Sequence, residues 1–331
     1  MEAAVKSSPV QRAVGVALGA AVLQLVMIIA FSWPAVRSEP RDVPIVTAGP
    51  QAAAVAQRLD RERPGAFEVT TVADEAAART ALTEYDAYGA IVTTPAGPRV
   101  LVASAASPAV SQQLTQLAQR LSDARPGAPV QDVVATDADD PRGSGFGSLA
   151  LPLIMSSLAA SALIVFGVRE LAGRAVALTS FAVLGGLGSA WLAQGWLSVL
   201  PGSYLAVASV MGLAILAVAA TIVGLAALIG RAGIGLGALT FLLLGNPLSG
   251  AASAPELLPQ PWGELGQLLP PGAAVTLLRS VAYFDGAGST GPLVVLLGWT
   301  AAGLVFFGLG GIRSRGQDET EPGRREPAMA S

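Results

Sequence analysis

Residues 246–279 read NPLSGAASAPELLPQPWGELGQLLPPGAAVTLLR and stand just ahead of the last apolar segment of the chain. The stretch is apolar enough to enter a membrane edge. Pro247, Pro255, Pro259, Pro261, Pro270 and Pro271 nevertheless forbid one continuous helix, because each lacks an amide donor and restricts the residue before it. Irregular backbone survives at membrane depth only where protein or a water-filled cavity shields its polar groups. Two readings follow: a re-entrant outer gate held in the mouth of a helical bundle, or a surface loop with helical turns resting on lipid headgroups. Glu256 and Glu264 lie in the stretch and Arg279 ends it. An ion pair between one of these acids and Arg279 would fix how the stretch folds into the bundle; a substrate-facing Arg279 is the alternative.

The chain around this stretch is built for lipid. It has 331 residues, of which 52% are hydrophobic and 13% charged, with a mean hydropathy of +0.58. Soluble domains carry about a quarter of charged residues, so the composition is that of an integral membrane protein. Cysteine and histidine are absent, which excludes disulfides, zinc or haem sites of the usual ligand types, cysteine nucleophiles and Ser-His-Asp triads. The net charge of -3 offers no polybasic face for nucleic acid. Lys6 is the only lysine and follows no glycine-rich loop, so there is no Walker A phosphate cradle. ATP hydrolysis, where it drives this protein, belongs to another chain, and no cofactor is expected.

Working outward, apolar segments at 13–33, 149–168, 175–197, 204–229, 234–248 and 293–312 predict six transmembrane helices. The first follows a short polar tail, 1–12. It reads as an uncleaved span or a signal peptide, and the absence of a small-residue cleavage site after Ser32, Trp33 and Pro34 favours the span. Lys6 and Arg12, Arg169 and Arg174, Arg231, then Arg313 and Arg315 fall at alternate ends of the spans, as positive-inside placement requires. Both termini are therefore expected in the cytoplasm, with residues 313–331 a disordered tail. No Asp, Glu, Lys, Arg or His lies within a span, so a proton relay or intramembrane ion site is not expected. Gln24, Gln194 and Asn246 are the strongest polar groups near the membrane, suited first to helix-to-helix hydrogen bonds and otherwise to substrate contact.

Residues 37–142 have a different composition, with acidic and basic residues interspersed among short apolar runs. Strands are expected at 43–47, 67–72, 88–93 and 99–103, and helices at 52–61, from residue 75 with Asp74 as its N-cap, and at 108–123. In the first of these helices Ala53, Ala56 and Leu59 should face inward. The alternation βαβαββα predicts a small two-layer α/β domain. Its densest acidic cluster, Asp137, Asp139 and Asp140, lacks EF-hand spacing and reads as a linker into the membrane rather than a calcium site. The domain carries no enzymatic signature.

One span, an α/β domain and five further spans together resemble the permease subunits of type-2 ABC exporters, including their phage-infection-protein-like branch. Two stretches carry the likeness: FEVTTVADEAAARTALTEYDAYGAIV, residues 67–92, with its strand, alanine-rich helix and strand entered through a Tyr-Gly pair, and GNPLSG followed by PELLPQPWGELGQLLPPGAAVTLLRSVAYF ahead of the last span. The resemblance implies that Asn246, Pro247, Pro270, Pro271 and Arg279 shape an outer gate. It also implies that the link 169–174, with Arg169, Glu170 and Arg174, touches a cytoplasmic ATP-binding subunit.

The expected molecule is thus a bundle of six transmembrane helices with a small extracytoplasmic α/β domain inserted between the first two, in a bacterial plasma membrane. Its expected role is permease subunit of an exporter, working as a homodimer or beside a homologous permease and moving an amphipathic or lipid-like substrate outward. The alternative is a non-energised scaffold or receptor whose outer domain binds an envelope or phage partner.

Overall fold

Helix α1, Pro9–Val36, starts where the Ser8 and Gln11 side chains close a reciprocal capping box and Pro9 occupies the first turn. The computed structural model describes residues 8–122 and 129–319. The polar tail expected over 1–12 accordingly gives way to helix by Pro9, and residues 1–7 lie outside the described ones. None of the most apolar window of α1 is buried by the rest of the chain. Its side chains face outward, with the edge-to-face contact of Trp33 and Trp262 at 6.3 Å near its end.

A five-stranded sheet follows. Its elements are β1 Val43–Ala48, α2 Ala52–Glu62, β2 Phe67–Val72, α3 Glu75–Thr83, β3 Gly89–Thr94, β4 Gly97–Val102, α4 Pro108–Ser122 and β5 Val130–Asp132. The spatial order is β2-β1-β3-β4-β5. β1 pairs parallel with both β2 and β3, β3 and β4 form an antiparallel hairpin, and β4 and β5 run parallel. Asp74 caps α3 by accepting from the Ala77 amide at 2.9 Å. In α2 the inward residues are Ala52 and Leu59, while Ala53 is exposed; the helix is rotated from the expected face because Ala52, its first residue, already packs. β5 was not expected. Three exposed residues without alternation leave no periodic signal.

The acidic cluster that follows is a connection. Asp140, 5% exposed, accepts from the Phe146 amide at 2.8 Å and the Ser144 hydroxyl at 3.3 Å, so it caps the next helix. Among the described residues no group of acids could hold a metal ion.

The remaining helices are α5 Ser144–Gly167, α6 Leu171–Ala190 with a π-helical extension Trp191–Trp196, α7 Tyr204–Ile229, α8 Ala232–Ala238 with a π-helical extension Leu239–Gly245, α9 Trp262–Gln267, α10 Pro270–Tyr283 and α11 Thr290–Glu319. Among the described residues five helices are long and apolar enough to cross a membrane: α1, α5, extended α6, α7 and α11. The segment expected as a further span forms the shorter helix Ala232–Gly245. At 1.5 Å per residue it reaches roughly 20 Å, against about 30 Å of hydrocarbon, because Asn246 and Pro247 stop it.

Helix α7 is the hub, with 61% of its most apolar window buried against 22% for α5, α6 and α11. It lies directly against α11: a Cβ on Gly224 would sit 2.2 Å from the Gly303 carbonyl, and the Thr221 hydroxyl reaches the Trp299 carbonyl at 3.2 Å. Arg231 stacks over the Phe166 ring at 5.7 Å, and Gly311 packs on Leu171. Arg169 and Arg231 in the connections, Arg174 in the first turn of α6 and Arg313 in α11 therefore gather at the end of the bundle away from the sheet. Helix α11 continues past the expected start of the tail at 313, and residues 320–331 lie outside the described ones.

Candidate functional site

The six prolines of 246–279 break the chain as their chemistry requires. Turns lead to a short 3-10 turn, Pro255–Leu257, then to α9 and α10, with Pro270 and Pro271 in the first turn of α10 where a missing amide costs nothing. Leu248, Ala254, Leu257, Leu258, Pro270 and Pro271 are buried, while Pro261, Trp262, Leu265 and Leu268 are exposed, so protein covers one face of the segment. Its freed backbone groups find side-chain partners. Trp299 of α11 donates to the Leu268 carbonyl at 2.8 Å. Gln267 donates to the Ser249 carbonyl at 3.2 Å and accepts from the Thr276 hydroxyl at 2.6 Å. Arg279 donates to the Ala251 carbonyl at 3.2 Å.

Arg279 is 3% exposed and lies 4.7 Å from the centroid of the Phe146 ring. A cation buried over an aromatic face is held by the ring quadrupole as well as by its hydrogen bond. The expected ion pair is not formed: no carboxylate lies within ion-pairing distance of Arg279 among the described residues. Glu256 instead accepts from the Tyr88 hydroxyl at 2.8 Å, across the junction with the sheet. Burial raises the carboxyl pKa of Glu256 above its ordinary value, opposed by its own backbone, Tyr88 and the charge of Arg279. Burial, then the Glu256 charge, pushes Tyr88 well above the usual tyrosine range.

The same turn fastens the sheet to the bundle. The Glu39 and Arg41 amides donate to the Leu257 and Glu256 carbonyls at 3.1 and 3.0 Å. Tyr85 stacks on Phe284 with ring centroids 4.3 Å apart. Ala254, Leu257 and Phe284 complete the apolar core of the sheet unit.

Helix α10 borders two cavities, the second lined by more charged and polar side chains than the first. Pro270, Pro271, Ala274, Val275 and Leu278 line an apolar cavity of about 400 Å³ together with α5, the end of α6 and α7. Thr276 lines a polar cleft of about 580 Å³ beneath the sheet, bounded by Tyr85, Tyr88, Glu256 and Glu264. A helix presents residues three and four apart on one side, which is how one short segment faces both.

The residues expected to form the gate divide. Pro270 and Pro271 line the apolar cavity and Arg279 stands one residue beyond it, whereas Asn246 and Pro247 lie in the turn after Gly245, with the Asn246 carbonyl accepting from the Ser249 hydroxyl at 2.8 Å. Gln194 ties the end of α6 to the connection before α7, donating to the Pro201 carbonyl at 3.0 Å, and Gln24 is exposed. The link expected over 169–174 is shorter: α6 begins at Leu171. Arg169 and Glu170 are exposed, while Arg174 turns back to donate to the Val168 and Val165 carbonyls at 2.8 and 3.1 Å, closing the end of α5. Sequence reasoning missed Phe146, Trp299, Tyr85 and Tyr88 as junction residues. Only Tyr88 left a trace, in the Tyr-Gly pair before β3.

No protein-family model, curated protein or solved structure matches the chain.

Proposed function

We propose that the chain is the membrane subunit of a transporter, with α9 and α10 forming a gate between hydrocarbon and an aqueous cleft. The observation that carries this reading is the single short helix standing between an apolar cavity at the level of the spans and a polar cleft beneath the sheet. A molecule with apolar and polar parts has one surface for each, separated by a few residues. The substrate class is therefore amphipathic or lipid-like.

The reading extends to the family resemblance: a permease of the type-2 ABC exporter kind, in a bacterial plasma membrane, with both termini in the cytoplasm and the sheet outside. The gathering of Arg169, Arg174, Arg231 and Arg313 at one end supports that orientation. The exposed Arg169 and Glu170 at that end are the proposed contact for a cytoplasmic ATP-binding subunit. The five spans carry no acid, lysine or histidine, and their arginines, Arg12, Arg174 and Arg313, stand near their ends, which supports a driving force supplied by a partner. A second copy or a homologous permease completes the transporter, and ATP hydrolysis resides outside this chain.

Affinity purification in gentle detergent tests this. The expected result is an ATP-hydrolysing chain recovered with this one, and efflux of an amphiphile lost when either is deleted. Repeated recovery without such a partner overturns the ABC assignment.

One feature favours a receptor role as a second reading. A crevice of about 580 Å³ opens between α2 and α4 over Ile91 and Thr93. It lies at the carboxyl ends of the parallel neighbours β1 and β3, where the chain leaves in opposite directions toward β2 and β4, the usual ligand position in open α/β sheets. Partner binding lost on deleting residues 41–140, with transport intact, would favour that role.

A further inference from the structure

The apolar cavity lies where α5, the end of α6, α7 and α10 meet, toward the sheet-bearing end of the bundle. Pro152, Ser156, Leu192 and Leu197 line it while being exposed on the surface of the described chain, so they mark its mouth. Met211, 2% exposed, and the buried Pro271 stand at its inner wall. Pro152, Ser156 and Leu192 belong to helices of spanning length and Leu197 follows the last turn of one, so a bilayer crossed by these helices lays hydrocarbon against the opening.

The lining decides what fills it. No ionisable side chain faces the cavity. The hydroxyls of Ser148, Ser156 and Ser157 already donate to carbonyls of their own helix, at 2.7, 3.0 and 2.7 Å. Ser189 adds a fourth hydroxyl to the lining, but a headgroup drawn inside would exchange its hydration for hydroxyl contacts alone, with no charged partner. Water does not settle in an apolar cavity of this kind, and a void leaves the wall atoms without dispersion contacts. A flexible hydrocarbon chain already dissolved beside the mouth meets neither cost, and the volume falls within the range of small-ligand sites.

We propose that one acyl chain of a bilayer lipid enters between α5 and the end of α6 and lies in this cavity against Met211 and Pro271, its headgroup remaining at the mouth. This site does not rest on the transport reading. It does specify, for that reading, which part of an amphiphile the lipid-facing side of α10 would hold.

The test uses the full chain in phosphatidylcholine vesicles containing a phospholipid with a photoreactive diazirine in mid-chain, and mass spectrometry to map the adducts. Met211 should be labelled alongside Leu184, which is 68% exposed and reports ordinary surrounding lipid. Ser156→Trp at the mouth should reduce the Met211 adduct about five-fold and leave the Leu184 adduct unchanged. Ala214→Phe, which fills the cavity from α7, should do the same, so the result does not depend on one variant folding. A probe with its diazirine on the headgroup should label the mouth and spare Met211. Absence of the Met211 adduct in the unsubstituted chain, or its persistence at full yield in both variants, overturns the proposal. Met211 labelling in an unsubstituted chain that moves no amphiphile would count against the transport reading alone.

Discussion

The two sides of α10 differ in what holds them. Toward the bilayer, Ala274, Val275 and Leu278 face a cavity whose stability depends on shape and burial, which any side chain of similar volume can supply. Toward the sheet, the fastening is a few directed contacts, Glu256 on Tyr88 and Tyr85 on Phe284, backed by Arg279, which reaches Ala251 and the Phe146 ring at the edge of the apolar cavity. Buried polar groups tolerate substitution poorly, since removing one partner leaves the other unsatisfied. The lipid-facing side is therefore a surface that can vary with its ligand, and the sheet-facing side is a joint that cannot.

Arg279→Ala tests the joint most severely. It removes a buried cation from the Phe146 ring and a donor from the Ala251 carbonyl, for an expected loss of roughly 3 kcal/mol, read as a lower midpoint of thermal unfolding in detergent. Arg279→Lys keeps the charge without the planar fork and should recover only part of it. Equal melting of Arg279→Ala and the unsubstituted chain would show that the joint is held elsewhere. Gly266→Ala comes next. A Cβ there would stand 1.9 Å from the Leu248 carbonyl, and backbone cannot move aside as a side-chain tip can. The cost should be about 2 kcal/mol, accompanied by faster proteolysis within residues 246–269. Unchanged proteolysis would mean that α9 packs less tightly than the difference between the two sides requires.

How far these contacts could be read beforehand depended on their range along the chain. Asp74 beside an alanine-rich run states its cap locally, and the cap is where the sequence puts it. Tyr88 and Glu256 are 168 positions apart, and nothing near either names the other. Arg279 was legible as an important charge, but it sits on an aromatic ring and a carbonyl, and Glu256, whose carboxyl feels its charge, stays beyond ion-pairing distance. The segment near 240 misled for another reason. Hydropathy registers apolar content and not where a helix must stop, and the π-helical stretch ends at Gly245, with Pro271 packed against that glycine, leaving the segment short of a span.

The smallest expected effect is the one that separates charge from geometry at the joint. Glu256 has a raised pKa in the folded chain, with burial the leading cause, against a reference value of 4.5. The folded state then binds the proton more tightly than the unfolded one. The stabilising contribution is present below about 4.5 and is lost as pH rises through the folded value. Glu256→Gln keeps an oxygen to accept from Tyr88 and carries no charge at any pH. Its unfolding midpoint should match that of the unsubstituted chain in acid and exceed it slightly at neutrality, by about 1 kcal/mol or less. Glu264, Asp86, Glu68, Asp42 and Arg41 line the same cleft in both proteins, so the difference between the two pH curves isolates Glu256. Parallel curves would mean that its carboxylate is solvated, and that the joint rests on Arg279 and the Tyr85–Phe284 stack alone.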